Sequence, residues 1–374
     1  MRKRIVQIGK YYPPFSGGIE NNTEQVAEIL LGRYRSYVVC MLPQRGVGRA
    51  RRASRVPVIE LRSMGSVWRQ QISAPLAPML ERLKPDCLHF HAPNPLLALY
   101  VDHFLRRDSK TKLVVTHHAD LERPESIRRV ANAGYRRLLH KADWLITYTD
   151  HAFSASRELE GFESKKMIIP HGVRIPDSVA AAVGRSGNDS FRDGDMVLGF
   201  LGRLEKWKGV QVLLEAVKEL PSVSVKIAGN GSYRTQLEEQ VRASNLQDRV
   251  TFVAQVQGAQ KWKFLTSLSA LVLPSLSTGE TFGQVLVEAQ LVGVPVVASD
   301  LPTGIQEIIG RNEAGLLVEP GNAEALRMAL VRLENRDVRE RLAENGEQRA
   351  KSRFTESVIA EKLLKFYDQN VFGS

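Results

Sequence analysis

The sequence predicts an α/β protein built from two doubly wound parallel-sheet domains, and three observations support this prediction. Short β-branched runs alternate with amphipathic segments in the first half, the alternation stops at a polar stretch, and it then begins again. Strands that alternate with helices favour a parallel sheet, because each connecting helix covers one face of it. Two such domains are expected to face each other across a cleft, with their binding loops at the carboxyl ends of the strands.

The first half of the chain contains the strands of one sheet and the segment that ends it. Its strand candidates are RIVQI, SYVVCML, CLHFH, KLVVTH, WLITY and MIIP, and helical periods such as EQVAEILLGRY separate most of them. The stretch RIPDSVAAAVGRSGNDSFRDGD, residues 174–195, is rich in Gly, Ser and Asp and has no apolar period. This composition is typical of a linker.

The second half repeats the alternation and ends in helices. Its strand candidates are VLGFLG, SVKIAG, VTFVA, ALVLPS, PVVAS and GLLV. We therefore predict a domain over residues 1–175, a linker over 176–195 and a second domain over 196–352. The amphipathic end of the chain, residues 353–374, is expected to pack back on the first domain.

The composition indicates a soluble globular protein. The chain has 374 residues, of which 43% are hydrophobic and 25% charged, and this length favours two domains. The basic N-terminus precedes an apolar run too short for a secretory leader, and no run reaches the ~18 residues that span a bilayer. We expect a cytoplasmic protein. Cys40 and Cys87 lie in strand-like apolar runs and are expected to be reduced core residues, with neither a disulfide nor a metal.

The excess of positive over negative charge is confined to the first half of the chain. Residues 1–180 carry 29 Lys and Arg against 17 Asp and Glu, whereas residues 181–374 carry 23 against 24. A basic half attracts an anionic partner such as nucleic acid, a membrane surface or a phosphorylated substrate. A solubility charge without a partner is the alternative.

The first candidate binding loop is GGIE, which follows the first predicted strand. Gly17 and Gly18 permit unusual backbone angles, and the helix that follows offers N–H groups to a phosphate or a sugar. GGIE lacks the G-x-G-x-x-G spacing, so a dinucleotide site is not indicated. A tight turn before a helix remains the alternative.

The second candidate loop is GRLEKWKG, residues 202–209, again between a strand and a helix. Arg203 offers a planar fork and Lys208 a point charge, and together they suit a diphosphate. Two solvated surface cations are the alternative.

The third candidate loop is TGETFGQVLVEAQ, residues 278–290. Gly279 and Gly283 form the turn, and the helix that begins near Phe282 presents its first N–H groups to phosphate or sugar oxygens. Glu280 precedes this helix, and Glu288 lies two helical turns later within an apolar run. A buried carboxylate needs partners, which sugar hydroxyls or a neighbouring cation would provide.

These motifs together resemble the retaining glycosyltransferase family 4, whose members have the GT-B fold, and most closely its mannosyltransferases of bacterial surface polysaccharide synthesis. The resemblance rests on the early glycine pair, HFHAPNPL, VVTHHAD, IIPHGV, GRLEKWKG, the E-x7-E pair in GETFGQVLVE, and PVVASDLPTGIQEII. The motifs occur in the family's order from residue 5 to about residue 320.

The resemblance implies a role for each matching residue of the second half. Arg203 and Lys208 would hold the diphosphate of a nucleotide-sugar, Glu280 the transferred sugar and Glu288 the ribose. Backbone amides around Phe282 and Gly283, after the turn at Gly279, would support sugar and phosphate. Val253 and Gln255, in the segment FVAQV, would receive the base.

In the first half, the resemblance places Gly17 and Gly18 against the donor phosphates and His118 against the sugar near the reacting carbon. His118, Glu280, Arg203 and Lys208 are thus the expected catalytic residues. The acceptor hydroxyl would attack from the face that the nucleoside diphosphate leaves, which retains the anomeric configuration. A glycosidase would instead need two carboxylates beside the anomeric carbon.

No cofactor and no metal are expected. Asp193 and Asp195 in DGD imitate a metal-binding D-x-D, but they lie in the predicted linker, where a solvated turn is expected. His89, His91, His117 and His118 occur at strand ends without a carboxylate pattern, and alternate strand residues face opposite sides, so a shared zinc is not expected.

The expected donor is GDP-mannose, with a UDP-sugar as the alternative, and the expected acceptor is a lipid-linked or oligosaccharide sugar. Basic segments in the first half, GRARRASR at 48–55 and the helix ESIRRVANAGYRRLLHK, suit anionic lipid, so a peripheral position at the inner membrane face is expected. A nucleic-acid-binding protein is the remote alternative, because no reading module is present. A phosphorylase of this fold would need a lysine for pyridoxal phosphate, and no such motif is apparent.

Overall fold

The computed structural model describes residues 2–13, 18–42, 55–61, 63–67, 70–73, 76–108, 110–120, 125–179 and 196–373, without the side chains of 63–73 and 125–132. The chain divides into two compact units. Unit 1 comprises Met1–Pro170 and Ile359–Ser374, and unit 2 comprises His171–Val358. The linker predicted over residues 176–195 lies mostly outside the described residues, so its boundaries stay a prediction.

Unit 1 is built on seven parallel strands in the order β3-β2-β1-β6-β7-β8-β9, with β4 and β5 forming a separate antiparallel pair. The strands are β1 Arg4–Ile8, β2 Arg35–Met41, β3 Val58–Leu61, β4 Ser63–Val67, β5 Gln70–Ser73, β6 Cys87–Ala92, β7 Lys112–His117, β8 Trp144–Thr147 and β9 Lys166–Ile168. The helices are α1 Gly18–Leu31, α2 Ala77–Leu83, α3 Pro95–Leu105, α4 Glu125–Lys141 and α5 Asp150–Ala155.

The central strands of unit 1 are continuous apolar runs because helices cover the sheet. In β1, Ile5, Val6 and Ile8 are fully buried, although neighbouring residues point to opposite faces. The chain order reverses between β1 and β6, so the loops that leave these strands diverge there and open a crevice at their carboxyl ends.

Unit 2 has six parallel strands in the order β12-β11-β10-β13-β14-β15. The strands are β10 Met196–Leu201, β11 Val223–Ala228, β12 Val250–Val253, β13 Ala270–Leu273, β14 Val296–Ser299 and β15 Leu316–Val318. The helices are α6 Val210–Ala216, α7 Arg234–Ala243, α8 Ala259–Thr266, α9 Gln284–Gln290, α10 Gly304–Ile309, α11 Ala323–Arg332 and α12 Arg336–Arg353. The order reverses between β10 and β13, which makes the loops after these two strands neighbours. The predicted class, two doubly wound parallel sheets, is confirmed.

The last helix, α13 Glu356–Phe366, begins in unit 2 and ends in unit 1, where a turn of π-helix, Tyr367–Val371, follows it. Its apolar face lies among buried side chains of β1 and α1, including Ile5 and Val26. Tyr367 Oη lies 2.8 Å from His89 Nδ1, and the Tyr34 hydroxyl donates to Asp368. These contacts fix the end of the chain to unit 1.

Both cysteines are free and buried, as predicted. Burial raises the pKa of the Cys40 thiol to about 12 and also raises the pKa of the Cys87 thiol. Both residues therefore remain unreactive thiols at neutral pH.

Leu363→Ala should destabilise unit 1 through its C-terminal helix. The Leu363 side chain is 1% exposed, and truncating such a leucine costs about 2–5 kcal/mol. Hydrogen exchange followed by mass spectrometry should show faster exchange in β1 and α1, with the exchange of β10 and β13 unchanged. Lys365→Ala, on the exposed side of the same helix, is the matched control. Equal protection of β1 in the two variants would contradict the expectation.

Candidate functional site

The reversal of strand order in unit 2 brings two of the predicted loops into backbone contact. The Leu276 amide, after β13, donates to the Trp207 carbonyl, after β10, over 2.7 Å. Gly209 has φ +73°, and a Cβ atom at this position would lie 1.8 Å from the Pro274 carbonyl oxygen. A side chain at residue 209 would therefore separate the loops.

A third loop, after β11, packs against the same segment, and the sequence analysis did not single it out. The Leu204 amide donates to the Asn230 carbonyl over 2.9 Å, and a Cβ on Gly229 would lie 1.9 Å from the Gly202 carbonyl oxygen. The signal was present in IAGNG, which repeats the strand-then-glycine pattern of GRLEKWKG. Three strand-ending loops thus meet at one edge of the sheet.

Lys208 and Glu280 form an ion pair between two of these loops. Their side chains are 13% and 12% exposed, and Ser275 Oγ donates to Glu280 Oε2 over 3.2 Å. The Lys208 ammonium also lies 4.5 Å from the centre of the Trp207 ring. The family resemblance implied separate roles for them, with Lys208 on the diphosphate and Glu280 on the transferred sugar. The structure places them in contact, so a phosphate that binds Lys208 competes with the Glu280 carboxylate.

The backbone before α9 is held by close packing. Gly283 has φ +79° at the start of the helix, and Glu280 N donates to the Ser277 carbonyl beside Gly279. The ring of Phe282 is buried, and a Cβ on Gly304 would lie 2.6 Å from its Cδ2 atom. The turn therefore has little freedom to move.

Glu288 is buried in α9 and paired with a cation that the sequence analysis did not name. Lys261 Nζ, from α8, donates to Glu288 Oε1 over 2.7 Å, and Gln284 Nε2 donates to the same oxygen over 3.3 Å. Burial raises the pKa of Glu288, and the Lys261 ammonium opposes that shift. The ion pair left open as an alternative is thus present. In the sequence, Lys261 looks like any lysine of an amphipathic helix.

The other predicted donor residues lie at the ends of β10 and β12. Arg203 is exposed, Val253 is half-buried as the last residue of β12, and Gln255 is exposed in the loop that follows. Gly229 N donates to the Val253 carbonyl over 3.4 Å, which connects the β11 and β12 ends. These three residues therefore border the same edge as Lys208.

The glycine pair of unit 1 is only half described. Gly17 lies outside the described residues. Gly18 is the first residue of α1, and a Cβ built on it meets no described atom within 4 Å. Neither crowding nor the backbone angle inside unit 1 therefore requires glycine at residue 18, and its approach to a donor phosphate stays a prediction.

His118 is buried, and both of its ring nitrogens have partners within unit 1. Its Nε2 lies 3.1 Å from His91 Nδ1, and its Nδ1 contacts the Tyr148 hydroxyl. The sequence placed His118 beside a sugar but did not predict this pairing, because Tyr148 is far from it in the chain.

His117 lies near two carboxylates that the sequence analysis did not connect with it. Ligand atoms of His117, Asp120 and Glu158 all lie within 4.8 Å of one another, a grouping that suits a metal ion. His117 Nε2 lies 3.0 Å from Asp120 Oδ1, and its Nδ1 lies 2.9 Å from the Tyr135 hydroxyl. The argument that the histidines lack carboxylate support is therefore wrong for His117. Hydrogen bonds engage both of its nitrogens.

Some of the segments singled out in the sequence lie wholly or mostly outside the described residues. Asp193 and Asp195 lie outside the described residues, as does almost all of GRARRASR at 48–55. In α4, Arg136 and Arg137 are exposed.

No helix within the described ranges is both long and apolar enough to cross a bilayer.

Comparison with known families agrees with the two sheets and their loops. The family model Glycosyltransferase Family 4 matches residues 16–175, and the model Glycosyl transferases group 1 matches residues 187–349. The fold and loops thus define a glycosyltransferase of the GT-B class.

Similar curated proteins cover the whole chain. It is 33% identical to a phosphatidyl-myo-inositol mannosyltransferase of Mycobacterium leprae, over 98% of this chain and 96% of the relative. It is 23% identical to the O-antigen chain mannosyltransferase C of Escherichia coli, over 97% and 98%. This chain belongs to glycosyltransferase family 4, as the sequence motifs predicted.

Solved structures share the fold at lower identity. Sucrose-phosphate synthase from Thermosynechococcus elongatus has a TM-score of 0.80 at 22% identity, with both chains covered completely. Anabaena Alr3699/HepE, in complex with UDP and glucose, has a TM-score of 0.75 at 21% identity, over 99% of this chain and 100% of that one. These likenesses show the fold alone.

Lys261→Met should destabilise the protein in a pH-dependent way. The substitution removes the main cause that lowers the pKa of the buried Glu288 carboxyl, so this pKa rises further. A carboxyl whose folded pKa exceeds its unfolded value of about 4.3 holds more protons when folded, so stability is lost as pH rises through that interval. The loss in Lys261→Met should be small near pH 4.5 and reach about 1–3 kcal/mol at pH 8.

The measurement is the thermal midpoint between pH 4.5 and 8. Lys263→Met, at an exposed position of the same helix, is the control, and adding Glu288→Gln to Lys261→Met should remove the pH dependence. A deficit that is constant across this range would contradict the ion-pair argument.

Proposed function

We propose that this chain transfers mannose from GDP-mannose to a lipid-linked or oligosaccharide acceptor in surface polysaccharide or glycolipid synthesis. The family assignment makes the chain a glycosyltransferase, and the proposal adds the donor and the class of acceptor. Its support is the 33% identity, over nearly the whole chain, to a relative described as a phosphatidyl-myo-inositol mannosyltransferase, together with the O-antigen mannosyltransferase relative.

The observation that carries the proposal is the convergence of three loops at the edge of the unit 2 sheet. Lys208 is held there between Trp207 and Glu280, and the exposed Arg203 lies five residues before it on the same loop. In this reading, the two cations hold the diphosphate of the donor. Cations fixed beside the leaving group stabilise the negative charge that develops on it.

The remaining donor contacts follow the family pattern. In this proposal, Glu280 binds hydroxyls of the transferred sugar and Glu288 binds the ribose, while the backbone around Gly279, Phe282 and Gly283 supports the sugar and phosphate. Both carboxylates already accept hydrogen bonds from lysines. These contacts hold both carboxylates in defined positions.

The proposed reaction proceeds with retention and needs no metal. The bond between the anomeric carbon and the diphosphate oxygen breaks, and the electron pair leaves with the nucleoside diphosphate. The acceptor oxygen attacks the same face, and its proton passes to the departing phosphate. Arg203 and Lys208 supply the charge stabilisation that a divalent cation provides in other transferases.

A UDP-sugar donor is the second candidate. It is favoured by the Anabaena structure, whose fold matches this chain and whose ligands are UDP and glucose. The residues expected to receive the base, Val253 and Gln255, lie at and after the end of β12. The Val253 side chain is half-buried, and the Gln255 side chain is exposed.

The membrane part of the proposal is that the basic first half docks on anionic lipid at the inner membrane face, near a lipid-linked acceptor. Arg136 and Arg137 are exposed on α4, where they are able to meet lipid phosphates. Vesicles with and without phosphatidylserine in a sedimentation assay test this docking, and equal binding to both would oppose it.

The test of the function is a panel of GDP-mannose, UDP-glucose, UDP-GlcNAc and UDP-galactose, each incubated with the protein and a lipid-linked acceptor. We expect a mass increase of one hexose with GDP-mannose, and turnover that persists in excess EDTA. Transfer from a UDP-sugar alone would select the second candidate. Saturable binding of duplex DNA with no transfer from any donor would overturn the enzyme proposal.

Lys208→Ala should lower kcat about 10²–10³-fold, the usual loss when a charge-stabilising group is removed. Lys206→Ala, on the same loop and exposed, should leave kcat unchanged. Comparable losses in both variants would indicate a general disturbance of the loop.

Glu288→Ala should mainly weaken donor binding, by about 10–100-fold, because a buried carboxylate that accepts hydrogen bonds contributes about 1.5–3 kcal/mol. Calorimetric titration of the nucleoside diphosphate gives the affinity. An unchanged dissociation constant in Glu288→Ala would remove the ribose role.

A further inference from the structure

The ion pair between Lys208 and Glu280 joins two groups that the proposed reaction assigns to different parts of the donor. Their side chains are 13% and 12% exposed, so water and salt screen this pair less than a surface pair. Ser275 Oγ, which belongs to a fully buried residue, donates to the same carboxylate oxygen over 3.2 Å. Lys208 therefore has an anionic partner of its own within the site.

The backbone keeps Lys208 close to the loop that carries Glu280. The next residue, Gly209, runs so near the start of that loop that a Cβ atom would lie 1.8 Å from the Pro274 carbonyl oxygen. The Lys208 ammonium also lies 4.5 Å from the centre of the Trp207 ring, which limits its rotamers. An anion that binds Lys208 therefore has the Glu280 carboxylate as a neighbour.

The charge of the product presents a difficulty for a site built on cations. In a nucleotide-sugar the outer phosphate is esterified to the sugar, whereas in the free nucleoside diphosphate it has one more ionisable oxygen. The free diphosphate thus carries about one more negative charge near neutral pH. Fixed cations attract it more strongly than the donor, since the attraction grows with the charge. Arg203 and Lys208 alone would therefore retain the product.

Glu280 meets the two ligands differently. In the proposed function, the nucleotide-sugar brings hydroxyls that donate to its carboxylate, and the free diphosphate brings none. A phosphate oxygen and the carboxylate oxygen repel each other when both lie against the Lys208 ammonium. Hydroxyl donors on the carboxylate offset this repulsion, and only the donor supplies them.

We propose that Glu280 discriminates between donor and product, because it opposes free nucleoside diphosphate at Lys208 but accepts the nucleotide-sugar. This role rests on the proposed function, which assigns the diphosphate to Lys208 and the sugar to Glu280. Once the sugar has passed to the acceptor, no hydroxyl holds the carboxylate, and it pairs with Lys208 again. The diphosphate then loses one of its cations and leaves, without any further covalent step.

Glu288 provides a contrast within the same motif. Its carboxylate accepts from Lys261 over 2.7 Å, and its expected ligand is the ribose. The ribose is present in both the donor and the product, so Glu288 supports both affinities alike. The two glutamates of one motif should therefore have opposite effects on the affinity for free nucleoside diphosphate.

The test is calorimetric titration of the wild type and Glu280→Gln with GDP, GDP-mannose, UDP and UDP-glucose. The glutamine keeps the size of the side chain and removes its charge. For the base that the wild type binds, we expect Glu280→Gln to bind the nucleoside diphosphate about tenfold more tightly, with no such gain for the nucleotide-sugar. A merely structural role would weaken both ligands. An unchanged or weaker affinity for the nucleoside diphosphate, or an equal gain for both ligands, would overturn the proposal.

Glu205→Gln is the matched control, because it removes a negative charge from the Lys208 loop without removing the partner of Lys208. The Glu205 carboxylate accepts from Ser232 Oγ over 2.7 Å. It should change either affinity by less than about threefold, and equally for the two ligands. A tenfold gain in Glu205→Gln would overturn the assignment to the ion pair.

The double variant Lys208→Ala with Glu280→Gln locates the effect. In the Lys208→Ala background, Glu280→Gln should no longer tighten the nucleoside diphosphate, since the pair is already broken. A gain that persists there would overturn the proposal. Glu280→Ala, which removes the carboxylate altogether, should give the same gain as Glu280→Gln, so the test stands even where one of these variants does not fold.

The two proposals fail in different ways. A wild type that binds only UDP and UDP-glucose would remove the mannose donor, and the effect of Glu280→Gln would still be measured on that pair of ligands. Binding of neither pair by the wild type would overturn the proposed function together with the discrimination by Glu280. Transfer by the wild type without the gain in Glu280→Gln would overturn the discrimination alone.

Discussion

The site in unit 2 depends on one close approach of two backbone segments. Residue 209 passes so near the Pro274 carbonyl that only glycine fits, and the Leu276 amide reaches the Trp207 carbonyl at the same place. This contact sets the position of Lys208 relative to the loop that carries Glu280. The charge arrangement thus follows from backbone geometry, which is more rigid than a long lysine side chain.

Two ion pairs then organise the carboxylates of the E-x7-E motif. Glu280 is bound by Lys208 from the β10 loop, and Glu288 by Lys261 from α8. Each lysine lies over a tryptophan ring from its own segment, which limits its rotamers. A ligand that offers hydroxyls to the glutamates and phosphates to Lys208 therefore meets groups already oriented, and loses less entropy on binding.

The sequence predicted the sheets well because buried parallel strands leave a strong local pattern. RIVQI and KLVVTH coincide with β1 and β7. It also placed Arg203, Lys208, Glu280 and Glu288 on loops and a helix at the strand ends. It did not predict Lys261 or Tyr148 as partners, because such contacts join elements far apart in the chain. Its expectation that Gly18 lies close to a donor phosphate stays a prediction, because unit 1 itself leaves open space beside this residue.

The histidines of unit 1 show how strand geometry separates similar residues. His89 and His91 are two positions apart on β6, so they share a face and stack with ring centres 4.7 Å apart. His117 and His118 are adjacent and diverge, one toward Tyr135 and Asp120 and the other toward His91. Stacked rings in a buried layer are stable when neutral, since burying a cation costs several kcal/mol. A ligand that reaches His118 therefore meets a ring that contacts with His91 and Tyr148 already hold in place.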